Sequence, residues 1–99
     1  MPENTIRVVA RITALPDRVD EVRSLLEKLI EPTRSEAGCL SYELLQNKND
    51  PTDFTFVEEW SNDQTLDAHL GNELIQSTIA GTAALLSAPP DIRRYLLLQ

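Results

Sequence analysis

Several residue types on which common functional sites depend are scarce in this sequence of 99 residues. Its single cysteine, Cys39, has no partner for an intramolecular disulfide. Its single histidine, His69, is not accompanied by a ligand set with zinc or iron spacing. Three scattered glycines are too few for a phosphate-binding loop or a dinucleotide-binding fingerprint. We therefore expect no disulfide, no metal site and no nucleotide-binding loop.

Basic residues and long apolar segments are also scarce. Nine Lys and Arg residues against sixteen Asp and Glu residues give a net charge of −7, and such a chain repels phosphate backbones. No apolar run approaches the roughly 20 residues of a membrane span. The first residues lack the basic and apolar regions of a signal peptide. We expect a cytoplasmic protein that binds neither nucleic acid nor membrane.

Alternation of apolar and polar residues predicts the strands, because successive side chains of a strand point to opposite faces. The predicted strands are Thr5–Ala14, Cys39–Gln46, Phe54–Trp60 and Ile92–Gln99. In the second of them, Leu40, Tyr42 and Leu44 are expected on one face. Turn-forming residues fill the interval from Asn47 to Asp53.

Apolar residues at helical spacing predict two helices. The first begins after Pro16–Asp17, is kinked by Pro32 and ends near Gly38. The second covers Asp63–Leu86, with a break near Gly71–Asn72. Its buried side is predicted to carry Leu66, Leu70, Leu74, Ile75, Ile79 and Leu85–Leu86.

The resulting order, β-α-β-β-α-β, is that of the ferredoxin-like α+β fold. Both helices should cover one face of a four-stranded antiparallel sheet with strand order 4-1-3-2. No linker or repeat interrupts residues 1–99, and we expect them to form a single domain.

The other face of the predicted sheet is half apolar, which is too much for a purely solvated surface. Its arginines lie on the half formed by the first and last strands, and its glutamates on the other half. Two-fold packing of two sheets can oppose these halves. We therefore predict a homodimer; the alternative is a monomer with a mixed exposed face.

The third strand predicts a pocket, because its inner face combines three aromatic residues, Phe54, Phe56 and Trp60, with a carboxyl group, Glu58. Burial disfavours the charged carboxylate and raises its pKa, and such a group can act as a general base near neutral pH. The alternative is a structural ion pair between Glu58 and Arg94.

Other residues could complete this pocket. His69 could accept a proton from a phenol or quinol hydroxyl, or it could pack as a neutral core histidine. Trp60 and Tyr42 could form the walls of a site for a flat aromatic ligand, or they could simply fill the core.

Three segments carry a family resemblance: EPTRSEAGCLSYEL (Glu31–Leu44), DPTDFTFVEEWSNDQTLDAHL (Asp50–Leu70) and PPDIRRY (Pro89–Tyr95). The chain resembles the antibiotic biosynthesis monooxygenase (ABM) superfamily, in particular its small quinol-monooxygenase-like members. The resemblance implies a dimeric α+β barrel with one cavity per subunit between sheet and helices. The Glu-x-Trp of the family falls on Glu58 and Trp60, its helix histidine on His69, and its tyrosine of the second strand on Tyr42.

Two departures narrow the expected reaction. Leu74 occupies the position where many members carry a second histidine, so a mechanism with two imidazoles is disfavoured. Ala10 stands where the haem-degrading branch has an asparagine, and no later histidine follows His69, so haem degradation is not expected.

The resemblance therefore implies a cofactor-independent monooxygenase or oxidase that acts on a small aromatic phenol or quinol with O2. His69 and Glu58 are the candidate catalytic residues, and Trp60, Tyr42 and Phe56 are the candidate substrate-binding residues. The alternatives are a non-catalytic dimer that binds a small molecule, or an isomerase of a small metabolite.

Overall fold

The computed structural model describes residues 5–99, which form a four-stranded antiparallel sheet with strand order β2-β3-β1-β4 and helices packed on its inner face. The elements in chain order are β1 (Ile6–Thr13), α1 (Val19–Glu27), α2 (Ile30–Arg34), β2 (Cys39–Asn47), β3 (Asp50–Trp60), α3 (Asp63–Leu70), α4 (Glu73–Thr82) and β4 (Asp91–Tyr95). A short 3-10 turn, Ala83–Leu85, follows α4. The predicted ferredoxin-like α+β fold and its strand order are confirmed.

The inner face of the sheet is the floor of the core. In the register of β1 and β3, Val8 lies opposite Glu58, and Ala10 lies opposite Phe56. All four side chains are buried, because both strands alternate as predicted. Glu58 therefore sits in the middle of the sheet rather than at its rim.

The first predicted helix is divided into α1 and α2 at Lys28–Leu29. Pro32 is the cause, because a proline has no N–H to donate to the carbonyl four residues earlier, which here belongs to Lys28, and its ring crowds that carbonyl. The interruption is therefore confirmed, and it lies one turn before the proline. Gly38, with φ +83°, reverses the chain into β2.

The second predicted helix is divided into α3 and α4 at Gly71–Asn72, as expected. Asn62 and Asn72 cap the two helices, and each side-chain oxygen accepts a bond from a backbone N–H, of Thr65 and Ile75 respectively, over 2.8 Å. The prediction that Leu74 is buried is wrong, because the new cap rotates it outward to 40% exposure. No helix within residues 5–99 has both the length and the apolar character that crossing a membrane requires.

Strand boundaries differ from prediction at three places. A bulge between Cys39 and Ser41 shifts the register, so Leu40 is exposed rather than directed inward. The hairpin turn is shorter than expected, because pairing resumes at Asp50. β4 ends at Tyr95 instead of Gln99, and the following leucines are exposed.

The outer face of the sheet carries exposed apolar side chains, including Val9, Leu45 and Tyr95. Its charges pair across neighbouring strands of the same chain. Arg7 lies 3.6 Å from Glu59, and Arg11 lies 3.2 Å from Asp53. Part of the charge sorting noted in the sequence is therefore satisfied within one sheet.

Candidate active site

A cavity of about 50 Å³ lies between the inner face of the sheet and helices α1, α3 and α4. Its lining is mostly aliphatic. Four of the five predicted site residues contribute to it: Tyr42, Phe56, Glu58 and His69. Because typical ligand pockets measure roughly 300–1,000 Å³, this cavity holds a few waters or an O2 molecule but no aromatic ring.

Glu58 is the buried carboxyl group of the site, with 4% of its surface exposed. Its Oε1 accepts a hydrogen bond of 2.8 Å from Nε1 of Trp60. Burial raises the pKa of Glu58 to about 7, the bond from Trp60 opposes this rise, and the nearby charge of Glu36 adds to it. Glu58 can therefore gain or lose a proton at neutral pH.

The alternative ion pair between Glu58 and Arg94 does not form. Arg94 does lie on the inner face, opposite Val8 in the register of β1 and β4. Its guanidinium instead reaches α3, where Nη1 contacts Asp63 at 2.8 Å and Nη2 contacts Asp67 at 2.6 Å. Glu58 keeps no cationic partner from β4.

His69 is buried at 2% exposure, on the same side of α3 as the fully buried Leu66, whereas Asp67 and Ala68 between them are exposed. Its Nδ1 is 3.1 Å from both carboxylate oxygens of Glu36. Within residues 5–99, both side-chain hydrogen bonds of His69 use Nδ1. Its other ring nitrogen, Nε2, makes no hydrogen bond to these residues, and the ring lines the cavity.

Trp60 and Tyr42 pack against the imidazole, and Tyr42 and Phe56 line the cavity. Trp60 packs on His69 with centroids 4.6 Å apart, and Tyr42 meets the same ring edge-on at 5.7 Å. Tyr42 also packs on Phe56 at 4.9 Å. Trp60 is fully buried and does not line the cavity, so it contacts Glu58 and His69 rather than the open space. Burial, reinforced by the charge of Glu58, raises the pKa of Tyr42 and keeps it a phenol.

Two residues of this arrangement were not predicted from the sequence. Glu36 binds His69, and Nδ2 of Asn72 donates to Oε2 of Glu36 over 3.1 Å. Glu36 lies in the irregular segment between α2 and β2, where no periodicity indicates which way a side chain points. The only available signal was chemical, because a buried histidine requires a polar partner.

Within residues 5–99, no three His, Cys, Asp or Glu side chains are grouped so that they could share a metal ion.

A ferredoxin-like α+β fold with such a cavity between sheet and helices defines a class of small proteins. Residues 5–81 match the sequence profile of one family in it, described as "Antibiotic biosynthesis monooxygenase". The chain belongs to the ABM family.

Named relatives agree with this assignment. A Mycobacterium tuberculosis protein, Rv0793, described as a candidate monooxygenase, is 33% identical over 84 residues, which cover 85% of this chain and 82% of that protein. An uncharacterized Synechocystis protein is 32% identical over 93 residues; the match covers 94% of this chain but only 63% of that relative.

Solved structures have the same fold. The crystal structure of PA3566 from Pseudomonas aeruginosa superposes with a TM-score of 0.92 at 31% identity, covering 100% of this chain and 99% of that one. A crystal structure described as an antibiotic biosynthesis monooxygenase superposes with a TM-score of 0.89 at 29% identity, covering 95% of this chain and 99% of that one.

Proposed function

We propose that this protein is a cofactor-independent monooxygenase or oxidase that uses O2 to oxidise a small aromatic phenol or quinol. One observation carries the proposal: a single apolar cavity is lined by two proton-carrying groups, Glu58 and His69, and by two aromatic rings, Tyr42 and Phe56. The family and its candidate monooxygenase relatives support the reaction class.

In this proposal, His69 takes the proton of a substrate hydroxyl, and the phenolate that forms is electron-rich enough to reduce O2 directly. In the oxidase reaction a quinol loses two electrons and two protons and becomes a quinone, while O2 gains them and becomes H2O2. In the monooxygenase reaction a phenol is oxidised at the ring carbon that is a CH2 group in its keto tautomer: this CH2 becomes C=O, and the second oxygen atom leaves with both hydrogens as water. Neither reaction needs an external reductant.

Glu58 serves as the second proton carrier, since a carboxyl group with a pKa of about 7 exchanges protons at neutral pH. Tyr42 and Phe56 contact the substrate ring. Trp60 holds Glu58 through its indole N–H and supports the imidazole. A ring enters only when α4 moves away from the sheet, because the cavity of about 50 Å³ is too small for it.

Oxygen consumption tests the proposal. The purified chain is mixed with a panel of hydroquinones, naphthoquinols and anthrones in the presence of a chelator, and O2 uptake is followed. We expect uptake above the uncatalysed rate, reduced about 10²–10⁴-fold in His69→Ala. The exposed substitution Leu74→Ala is the matched control on the following helix. Uptake at the uncatalysed rate across the whole panel would refute the proposal.

The aliphatic lining and small volume of the cavity also favour a second candidate, a non-catalytic protein that binds a small apolar molecule. It predicts saturable binding without O2 uptake and little effect of His69→Ala on affinity. An isomerase of a phosphorylated metabolite is disfavoured, because Glu58 lines the cavity and the carboxylate of Glu36 lies directly behind His69, so that neither favours a phosphate group there.

We further propose that the chain, as one ABM domain, acts in the cytoplasm as a homodimer that packs through the outer face of the sheet. Exposed Val9, Leu45 and Tyr95 on that face support this. Sedimentation at micromolar concentration should detect a species of twice 11.1 kDa, and a species of 11.1 kDa alone would exclude the dimer.

A further inference from the structure

We propose that Glu36 is a positioning residue that fixes the tautomer of His69 and, through Asn72, holds α4 over the cavity. The catalytic meaning of this inference rests on the proposed function, but the contacts on which it depends do not.

The tautomer follows from the hydrogen bonds. An ionised carboxylate has only acceptors, so the Nδ1 of His69, at 3.1 Å from both oxygens of Glu36, must carry the hydrogen. A neutral imidazole then has its lone pair on Nε2. Free histidine in water prefers the opposite tautomer, with the hydrogen on Nε2. The contact with Glu36 therefore selects the form that can accept a proton through the nitrogen left free at the cavity.

The orientation of the ring is restrained as well. His69 is 2% exposed and lies between Trp60, at 4.6 Å, and Tyr42, at 5.7 Å. Close packing on these rings hinders a flip that would exchange the two sides of the imidazole. Glu36 sets which nitrogen carries the hydrogen, and the two aromatic rings keep that nitrogen directed towards Glu36.

Asn72 extends the effect of Glu36 to α4. Its Nδ2 donates to Oε2 of Glu36 over 3.1 Å, and its Oδ1 accepts the N–H of Ile75 over 2.8 Å as the N-cap of α4. Its backbone N–H also donates to the carbonyl of His69 over 3.2 Å. Helix α4 contributes Ile75, Thr78, Ile79 and Thr82 to the cavity lining. One carboxylate therefore holds both the proposed base and the wall that must move to admit a ring.

Because His69 is the only histidine, the ¹⁵N resonances of the imidazole can be read without assignment ambiguity. At a pH where the ring is neutral, we expect wild-type protein to show a protonated Nδ1 and an unprotonated Nε2. In Glu36→Ala the main form should become the one with hydrogen on Nε2. Glu36→Asp, which keeps a carboxylate, should retain a larger Nδ1–H population than Glu36→Ala. Glu31→Ala, which changes an exposed residue of α2, should leave the tautomer unchanged.

A wild-type spectrum dominated by the Nε2–H form would overturn the inference without any variant. So would an unchanged tautomer in folded Glu36→Ala. These measurements need no substrate, so they stand apart from the O2-uptake test. If turnover is found, Glu36→Ala should lower kcat more than it changes KM, by a factor no larger than the roughly 10²–10⁴ of a general base.

The contact with α4 is tested by Asn72→Ser. Serine caps a helix about as well as asparagine but cannot reach Glu36 with an amide N–H. We expect the His69 tautomer to persist, while amide hydrogen exchange in α4 becomes at least several-fold faster. Unchanged exchange throughout α4 would show that Asn72 does not link this helix to Glu36.

Discussion

The indole N–H of Trp60 donates to Oε1 of Glu58 over 2.8 Å, and both side chains are almost completely buried. This bond stabilises the charged carboxylate, whereas burial disfavours it. Burial dominates, and the pKa of Glu58 rises to about 7. The cation that could have reversed this result, Arg94, is bound to Asp63 and Asp67 instead.

Glu58 should make stability depend on pH in a defined window. Because its pKa is raised from the ordinary 4.5 to about 7, the folded state holds the proton more tightly than the unfolded state. The stabilising contribution is complete below pH 4.5, declines as pH rises and is lost above pH 7. The full difference corresponds to about 3 kcal/mol.

Urea unfolding of wild type and Glu58→Gln at pH 5 and pH 8 measures this contribution. As pH rises, the free energy of unfolding of Glu58→Gln should increase relative to that of wild type, since glutamine has no proton to lose. Groups that face Glu58, namely Glu36, His69 and Tyr42, are present in both proteins. The exposed Glu43→Gln on β2 should show no such trend, and a pH-independent difference for Glu58→Gln would refute the argument.

Trp60→Phe should raise the pKa of Glu58 further, because it removes the hydrogen bond that stabilises the carboxylate while retaining an aromatic ring. Carboxyl ¹³C NMR across a pH titration measures the shift directly. Phe54→Leu is the matched control, since it also reduces a buried aromatic residue of β3 but breaks no bond to Glu58. Arg94→Gln should leave the pKa of Glu58 unchanged, because Arg94 is bound to Asp63 and Asp67. A Glu58 titration that moves downward in Trp60→Phe would contradict the role given to the indole.

Most of the fold and part of the site were predictable, because alternation on a half-buried strand determines which side chains face the core. That rule predicts that Phe56, Glu58 and Trp60 share the inner face of the third strand, and all three are buried there. It failed at Leu40, because a bulge inserts one residue without changing the local pattern of residue types. It also gave no information on how large a cavity the packed side chains would leave.

The partner of His69 was beyond prediction for a different reason. Glu36 lies 33 residues earlier, in a segment between elements. Its direction depends on Gly38 and on the way α2 meets β2, which are consequences of the complete fold. Leu74 shows the same limit on α4: helical spacing continued across Gly71–Asn72 assigned it to the core, whereas the Asn72 cap starts a helix with a new phase.

Ile79 should control the size of ligand that reaches the cavity. A groove of about 430 Å³ is lined by Ile79 of α4, Ala83 and residues 86–90, and Ile79 and Pro90 also line the inner cavity. Ile79→Ala should join the two spaces and increase affinity for alkyl-substituted quinols more than for the unsubstituted parent. Trp60, the only tryptophan, reports binding through its fluorescence. The control Leu74→Ala changes an exposed residue of the same helix and should alter the affinity for neither the alkyl-substituted quinols nor the unsubstituted parent. If Ile79→Ala affected all quinols equally, entry past Ile79 would be excluded.

Two glycines should respond to alanine in opposite directions. Gly38 has φ +83°, and a Cβ there would lie 2.5 Å from side-chain atoms of Thr65. Gly38→Ala therefore combines backbone strain with a clash beside the Glu36 segment, and it should cost more than the roughly 1 kcal/mol of an unfavourable backbone conformation alone. Gly81 is in the last turn of α4, where an added Cβ meets nothing within 4 Å, so Gly81→Ala should stabilise the protein by about 0.5–1 kcal/mol. Thermal and urea unfolding of both variants check the signs. A neutral Gly38→Ala would mean that Thr65 and the turn rearrange freely, in which case the placement of Glu36 beside His69 would not depend on this turn.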